Sequence, residues 1–119
     1  SAWYYFLDNG AAVLGKWARI DNLWYCFGTD ARMITGWHQQ NDAWYYLDSS
    51  GKLLTGWLRD NSKNIQYYCD PASGVMATGW KQIDGNWVYF TSSGAAKKDG
   101  WLKIGGKWDQ FEKYICLNP

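Results

Sequence analysis

Gly36-Trp37-His38-Gln39-Gln40-Asn41-Asp42-Ala43-Trp44-Tyr45-Tyr46-Leu47-Asp48-Ser49-Ser50-Gly51-Lys52-Leu53-Leu54-Thr55 runs directly into a second Gly-Trp, Gly56-Trp57. Two short aromatic and apolar runs flank Asn41-Asp42, a pair that tolerates the positive φ of a tight hairpin turn. A polar, glycine-containing connection follows. The stretch therefore predicts a β-hairpin and a loop leading to the next copy. Alternation along a strand puts Trp44 and Tyr46 on one face and Tyr45 on the other. Trp37 on the opposing strand lies roughly across from Trp44 and Tyr46.

Outward from this unit the chain repeats itself. Trp17, Trp37 and Trp57 are 20 residues apart, and Trp80 and Trp101 follow at 23 and 21. A second series runs Trp3, Trp24, Trp44, Trp87 and Trp108, with Gln66 at its missing place. Turn pairs recur at Asp21-Asn22, Asp84-Gly85 and Gly105-Gly106, and the connections contain Gly10, Gly51, Gly74 and Gly94. Short aromatic runs between so many glycines argue against helices. The expected fold is all-β: a solenoid, a superhelical stack of about five hairpins of ~20 residues. The expected repeats are 1–15, 16–35, 36–55, 56–78, 79–99 and 100–119, together one module over 1–119. The first is a half unit that lacks the strand before Trp3. One such hairpin is marginal in water, so each must be stabilised by covering its neighbour.

Composition narrows the function. Among 119 residues, 12 basic and 11 acidic side chains leave a net charge of +1, which disfavours nucleic acid as a partner. Ten Trp, nine Tyr and four Phe outnumber the 18 Leu, Ile and Val, the reverse of an ordinary core. No apolar run is long enough to insert in a membrane as a helix. No metal site or cofactor is read: His38 is the lone histidine, and Cys26, Cys69 and Cys116 lack zinc-ligand spacing. The cysteines are odd in number and are expected as small buried apolar groups rather than bridges. No catalytic constellation is legible. Asp8, Asp48 and Asp70 recur as loop residues, Ser49, Ser50, Ser92 and Ser93 lie in connections, and no nucleophile accompanies His38. The chain is expected not to be an enzyme.

The aromatics are the remaining chemistry. Two Trp from one hairpin and an aromatic from the next, converging on a small cavity, attract a cation through their ring quadrupoles without a counter-charge. Quaternary ammonium suits such a cage because it has no N–H to satisfy. The same rings also serve as the core of a thin stack, and Met33, Leu53 and Met76 either close the cavities or fill gaps.

The pattern Gly-Trp, six to seven residues, Trp-Tyr-Tyr-Leu, then Ser-Ser-Gly and Thr-Gly-Trp resembles the choline-binding, or cell-wall-binding, repeat of surface proteins and lysins from pneumococci, their phages and related Gram-positive bacteria. The likeness covers nearly the whole chain. It is strongest from Trp17 to Trp57, at Asp70 to Trp80, and from Gly79 to Gly94. It implies a secreted, cell-surface module that binds choline or phosphocholine on teichoic or lipoteichoic acid, and it leaves room for a homodimer. It also implies sites between consecutive repeats. The first would comprise Trp17, Trp24 and Tyr45 with Met33, and the second Trp37, Trp44 and Tyr67 with Leu53. The third has Trp57 and Met76, but Gln66 replaces its second Trp and Val88 the next Tyr. The fourth has Trp80 and Trp87, but Ala96 stands where Met or Leu is usual and Asp109-Gln110 replaces the Tyr pair. Cys26 departs from the motif at its second Tyr and Cys69 at its Leu. Two good sites and one or two impaired ones are expected. Rival readings are a glucan- or oligosaccharide-binding repeat module and a structural scaffold with degenerate cages.

Overall fold

The computed structural model describes Tyr4, Phe6 and residues 15–119. Trp3, Asp8 and Gly10 lie outside the described residues. Among the described residues, five antiparallel hairpins follow one another: β1 (Lys16–Ile20) with β2 (Leu23–Phe27), β3 (Gly36–Gln40) with β4 (Ala43–Leu47), β6 (Gly56–Asp60) with β7 (Ile65–Cys69), β8 (Gly79–Ile83) with β9 (Asn86–Phe90), and β10 (Gly100–Ile104) with β11 (Lys107–Glu112). The short strands β5 (Leu53–Leu54) and β12 (Ile115–Cys116) add to β4 and β11. The chain is all-β, with no helix among the described residues.

Turn chemistry sets the register. Asp21-Asn22, Asn41-Asp42, Asp84-Gly85 and Gly105-Gly106 all have positive φ at both positions, as two-residue hairpin turns of the favoured hand require. The β6–β7 turn is longer. Asp60 Oδ1 there accepts from the backbone N–H of Ser62 and Lys63 and from the Ser62 hydroxyl, and Arg59 donates to Asn61 and Asn64. In each hairpin the first-strand Trp sits opposite the same slot of the second strand: Trp17–Cys26, Trp37–Tyr46, Trp57–Tyr68, Trp80–Tyr89 and Trp101–Gln110. Where that slot is Tyr, the two rings meet edge to face at 5.1–5.2 Å between centroids, a favourable geometry for aromatic pairs.

The contacts divide the chain into two units, one of Ser1–Thr55 with Pro71–Val75, the other of Gly56–Asp70 with Met76–Pro119. In the first, Cys26, Phe27, Ala31 and Leu47 are buried. In the second, Ala77, Val88 and Phe90 form the core cluster, with Tyr68, Ile83, Ala96 and Tyr114 packed on it, and Cys69, Phe111 and Cys116 are also buried. The last position of the Trp-Tyr-Tyr-Leu pattern is therefore a core position: Phe27, Leu47, Cys69, Phe90 and Phe111 all bury there. Cys26, Cys69 and Cys116 carry free thiols. Burial raises the Cys26 thiol above its ordinary value and pushes that of Cys69 up to about 11.

The connections pack by a recurring contact. After each second strand a residue bridges back to its last position: Met33 to Phe27, Leu53 to Leu47, Met76 to Cys69. Its side chain then lies against a glycine of the following connection: Met33 on Gly51, Leu53 on Gly74, Met76 on Gly94. Those glycines are buried at φ +86°, +78° and +91°. Both the conformation and the side chain packed against it disfavour a Cβ there.

Candidate functional site

Among the described residues, cavities open between successive hairpins in both units. Each is walled on one side by the Trp-bearing face of one hairpin. On the other side stands the middle residue of the next Trp-Tyr-Tyr segment, which alternation points the opposite way. Those middle residues are Tyr45, Val88 and Asp109.

The cavity of the first unit, about 330 Å³, is lined by Trp17, Trp24, Tyr45, Leu53, Ala72 and Ser73. Trp17 and Tyr45 meet at 5.0 Å between centroids and 63° between planes. Trp24 forms the outer wall and is 45% exposed. These rings come together because β1 pairs Trp17 with Cys26, and Trp24 lies two residues before Cys26 on the same face. Cys26 in the Tyr slot leaves Trp17 without the cross-strand ring that steadies Trp37, Trp57 and Trp80. Two rings of the second hairpin approach it: Tyr45, and His38 at 6.5 Å. His38, not anticipated as a neighbour of this site, stands opposite Tyr45 across β3 and β4 and hydrogen-bonds through Nε2 with Gln40 Oε1 at 3.3 Å. No group in this cavity carries a formal charge, so a cation bound there would be held by ring quadrupoles.

Leu53, which the resemblance places in the second site, lines this first cavity; Met33, expected here, packs against Gly51. The reason is strand parity. Leu53 pairs with Leu47, so it shares a face with Leu47 and Tyr45 and looks where Tyr45 looks. The same pairing sets Met76 beside Cys69, and Met76 is not among the residues that line the Trp57 cavity. In this cavity the aliphatic residue is thus Leu53, which follows the hairpin of Tyr45, where the resemblance had placed Met33.

Trp37 and Trp44 share one face of the second hairpin, with Trp44 39% exposed. Tyr67 lies on β7 opposite Leu58, in the slot equivalent to Tyr45. Trp37 and Trp44 belong to the first unit and Tyr67 to the second.

The second unit's cavity at Trp57, about 430 Å³, is lined by Trp57, Gln66, Val88, Tyr114 and Ile115 and by the polar residues Asp84, Asn86 and Lys113, with Ile83 behind. Gln66 and Val88 occupy the slots of the missing Trp and Tyr, as expected. Tyr114 was not foreseen: its ring stands 6.1 Å from that of Trp57. It gets there from a turn in which Lys113 and Tyr114 both have positive φ, held by Asp99 Oδ1 accepting from the Lys113 N–H and the Lys98 carbonyl accepting from the Tyr114 N–H.

The last cavity, about 550 Å³, is lined by Trp80, Trp87, Ile104, Gly105, Lys107, Asp109 and Pro119. The two indoles stand almost perpendicular, 84° apart at 6.4 Å, so their faces make a corner. Trp80 also stacks on Phe111 at 5.8 Å, which fixes its plane. The third wall is a carboxylate. Asp109 is 2% exposed, and its Oδ1 accepts from Lys107 Nζ at 2.9 Å. Trp101 and Trp108, on the last hairpin, are 55% and 57% exposed and line none of these cavities.

Comparison with known proteins adds the family. A model described as the choline-binding repeat matches residues 34–79 and 77–114, and one described as a putative cell wall binding repeat matches residues 1–12. Among solved structures, choline binding protein F from Streptococcus pneumoniae, crystallised in the presence of a peptidoglycan analogue, is similar over 98% of this chain and 38% of its own, at 33% identity and a TM-score of 0.89. CbpJ from the same species is similar over 97% of this chain and 42% of its own, at 32% identity and 0.87. The pneumococcal modular autolysin LytC is similar over 99% of this chain and 31% of its own, at 25% identity and 0.60. The chain thus spans less than half the length of each of these proteins. No curated protein matches by sequence.

Proposed function

Because the chain belongs to the choline-binding repeat family, we propose that it is a non-catalytic cell-wall-binding module that holds the choline of teichoic or lipoteichoic acid in aromatic cages. The observation that carries this reading is the uncharged cavity of Trp17, Trp24 and Tyr45, with Trp17 and Tyr45 5.0 Å apart. A trimethylammonium group there meets three aromatic side chains and asks for no hydrogen bond. At ~0.5–2 kcal/mol for each favourable contact, one cage binds choline weakly, in the millimolar range. A polymer that presents choline at every repeat converts weak sites into avid attachment, gaining ~10²–10⁴ where site and choline spacings match. A net charge of +1 leaves no strong repulsion to oppose the cation. The module would act at the bacterial surface.

The test is co-sedimentation with purified cell walls whose teichoic acid carries choline, against the same walls after the choline has been removed. Retention on the first alone, released by free choline, is expected. Equal retention on both would refute the reading. At Trp57 a second ligand class has its own support. Gln66, Asp84, Asn86 and Lys113 line this cavity with the rings of Trp57 and Tyr114, and aromatic faces with polar neighbours suit a sugar better than a quaternary amine.

A further inference from the structure

We propose that the Trp80–Trp87 cavity takes a small ammonium ion that still bears N–H, a primary or secondary amine, with Asp109 as its hydrogen-bond acceptor and Lys107 as a built-in competitor. This rests on the cation-binding reading above and changes the ligand class at one site.

The argument starts from what the third wall can do. In the first cavity that wall is Tyr45, and in this one the equivalent strand position is Asp109. An aromatic wall favours the quaternary ion, because a primary ammonium gives up its hydrogen bonds to water and receives none back. A carboxylate wall reverses the preference, since each N–H it accepts is a charge-assisted hydrogen bond that a trimethylammonium cannot make. The perpendicular indoles still supply two π faces, so the corner stays attractive to a cation.

The chain itself shows the chemistry this wall accepts. Among the described residues the ion pair of Asp109 is with a primary ammonium: Lys107 Nζ donates to Oδ1 at 2.9 Å and to the Asn118 carbonyl at 2.8 Å. Cys116 Sγ also points to Oδ1, at 4.0 Å. Among the described residues every hydrogen bond to this carboxylate ends on Oδ1, which leaves Oδ2 without a protein donor. Lys107 is 57% exposed in its side chain while Asp109 is 3% exposed. The lysine can therefore swing out to water, and the buried carboxylate cannot follow. A buried carboxylate is costly unless paired, so an incoming amine that takes the place of Lys107 keeps the charge paired while the lysine returns to water.

The test follows the indole N–H resonances of the full chain by NMR while ethanolamine, its N-methyl and N,N-dimethyl derivatives and choline are titrated in turn. At Trp80 and Trp87 ethanolamine should bind about 10-fold more tightly than choline, the worth of one hydrogen bond to a charged group. At Trp17 and Trp24 the order should reverse. Asp109→Asn should abolish the ethanolamine preference at Trp80 and Trp87 and leave the Trp17 and Trp24 curves unchanged. Lys107→Gln removes the competitor and should tighten ethanolamine several-fold. It also makes ethanolamine raise the melting temperature more than in the parent chain, a readout that holds if Asp109→Asn fails to fold. Choline binding as tightly as ethanolamine at Trp80 and Trp87, or no response of these two residues to any amine in Lys107→Gln, would overturn the proposal. A choline-silent Trp17 and Trp24 would instead strike the reading of the first cavity.

Discussion

Replacing Gly74 by Ala tests how consecutive connections lock together. Gly74 has φ +78°, and a Cβ there would stand 2.9 Å from Leu53 Cδ2, 3.3 Å from Cδ1 and 3.4 Å from Cγ. Gly36 has nearly the same backbone, φ +81°, with no atom within 4 Å of its Cβ position. The left-handed conformation costs an L-residue about 1–2 kcal/mol at either position. Both replacements restrict the unfolded chain equally, so that gain cancels in the comparison. Overpacking adds about 1–3 kcal/mol at Gly74 alone. Gly36→Ala should therefore destabilise by about 1–2 kcal/mol and Gly74→Ala by about 2–5 kcal/mol. Urea unfolding followed by Trp fluorescence measures both. Leu53→Ala in the Gly74→Ala background should recover most of the difference. Because Leu53 lines the Trp17–Trp24 cavity, Gly74→Ala should also weaken the choline response of Trp24. Equal destabilisation of the two single variants, within about 0.5 kcal/mol, would refute the packing argument.

Trp24→Ala should weaken choline binding at Trp17 by about 2–30-fold, the loss of one ~0.5–2 kcal/mol wall, whereas Trp101→Ala should leave it unchanged; NMR titration at the Trp17 indole separates them. Asp48 Oδ1 accepts from the Ser50 hydroxyl and from the Lys52 and Ser50 N–H groups, and those bonds, the Ser50 hydroxyl first, hold its carboxyl below the usual 3.8 against the opposing effect of desolvation. Its contribution to stability is present above 3.8 and lost as pH falls through the lower folded value, so the stability gap between the parent chain and Asp48→Asn should close in that acid window. Cys69, pushed up to about 11 from 9.0, should resist maleimide in the folded protein and react in denaturant. Its protonated burial also predicts that stability declines as pH rises from about 9 towards 11.

Much of this was legible in the sequence, and its limits are physical. The interleaved Trp series and the Asp-Asn, Asn-Asp, Asp-Gly and Gly-Gly pairs specify hairpins because period and positive φ are local properties. Alternation puts Tyr45 on the face opposite Trp44 and Tyr46; that it stands beside Trp17 and Trp24 of the preceding hairpin came only from the family resemblance. That Leu53 lines the Trp17–Trp24 cavity was not legible, because its orientation depends on pairing with Leu47, a bridge across a five-residue loop that no local pattern announces. Tyr114 was missed for another reason. Lys113 and Tyr114 take positive φ without Gly or Asn, held by Asp99 and Lys98 from an earlier connection. The Lys107–Asp109 pair was the readable signal left unused, since residues two apart on a strand share a face.

The central claim is that the cavity of Trp17, Trp24 and Tyr45 recognises positive charge rather than shape. The most direct measurement titrates the Trp17 and Trp24 indole resonances with choline and, in parallel, with its uncharged isostere 3,3-dimethylbutanol. The account predicts a saturable response to choline, a much weaker one to the isostere, and choline binding at Trp17 weakened by about 2–30-fold in Trp24→Ala. Equal responses to the two compounds, or none to choline in a folded chain, would contradict it.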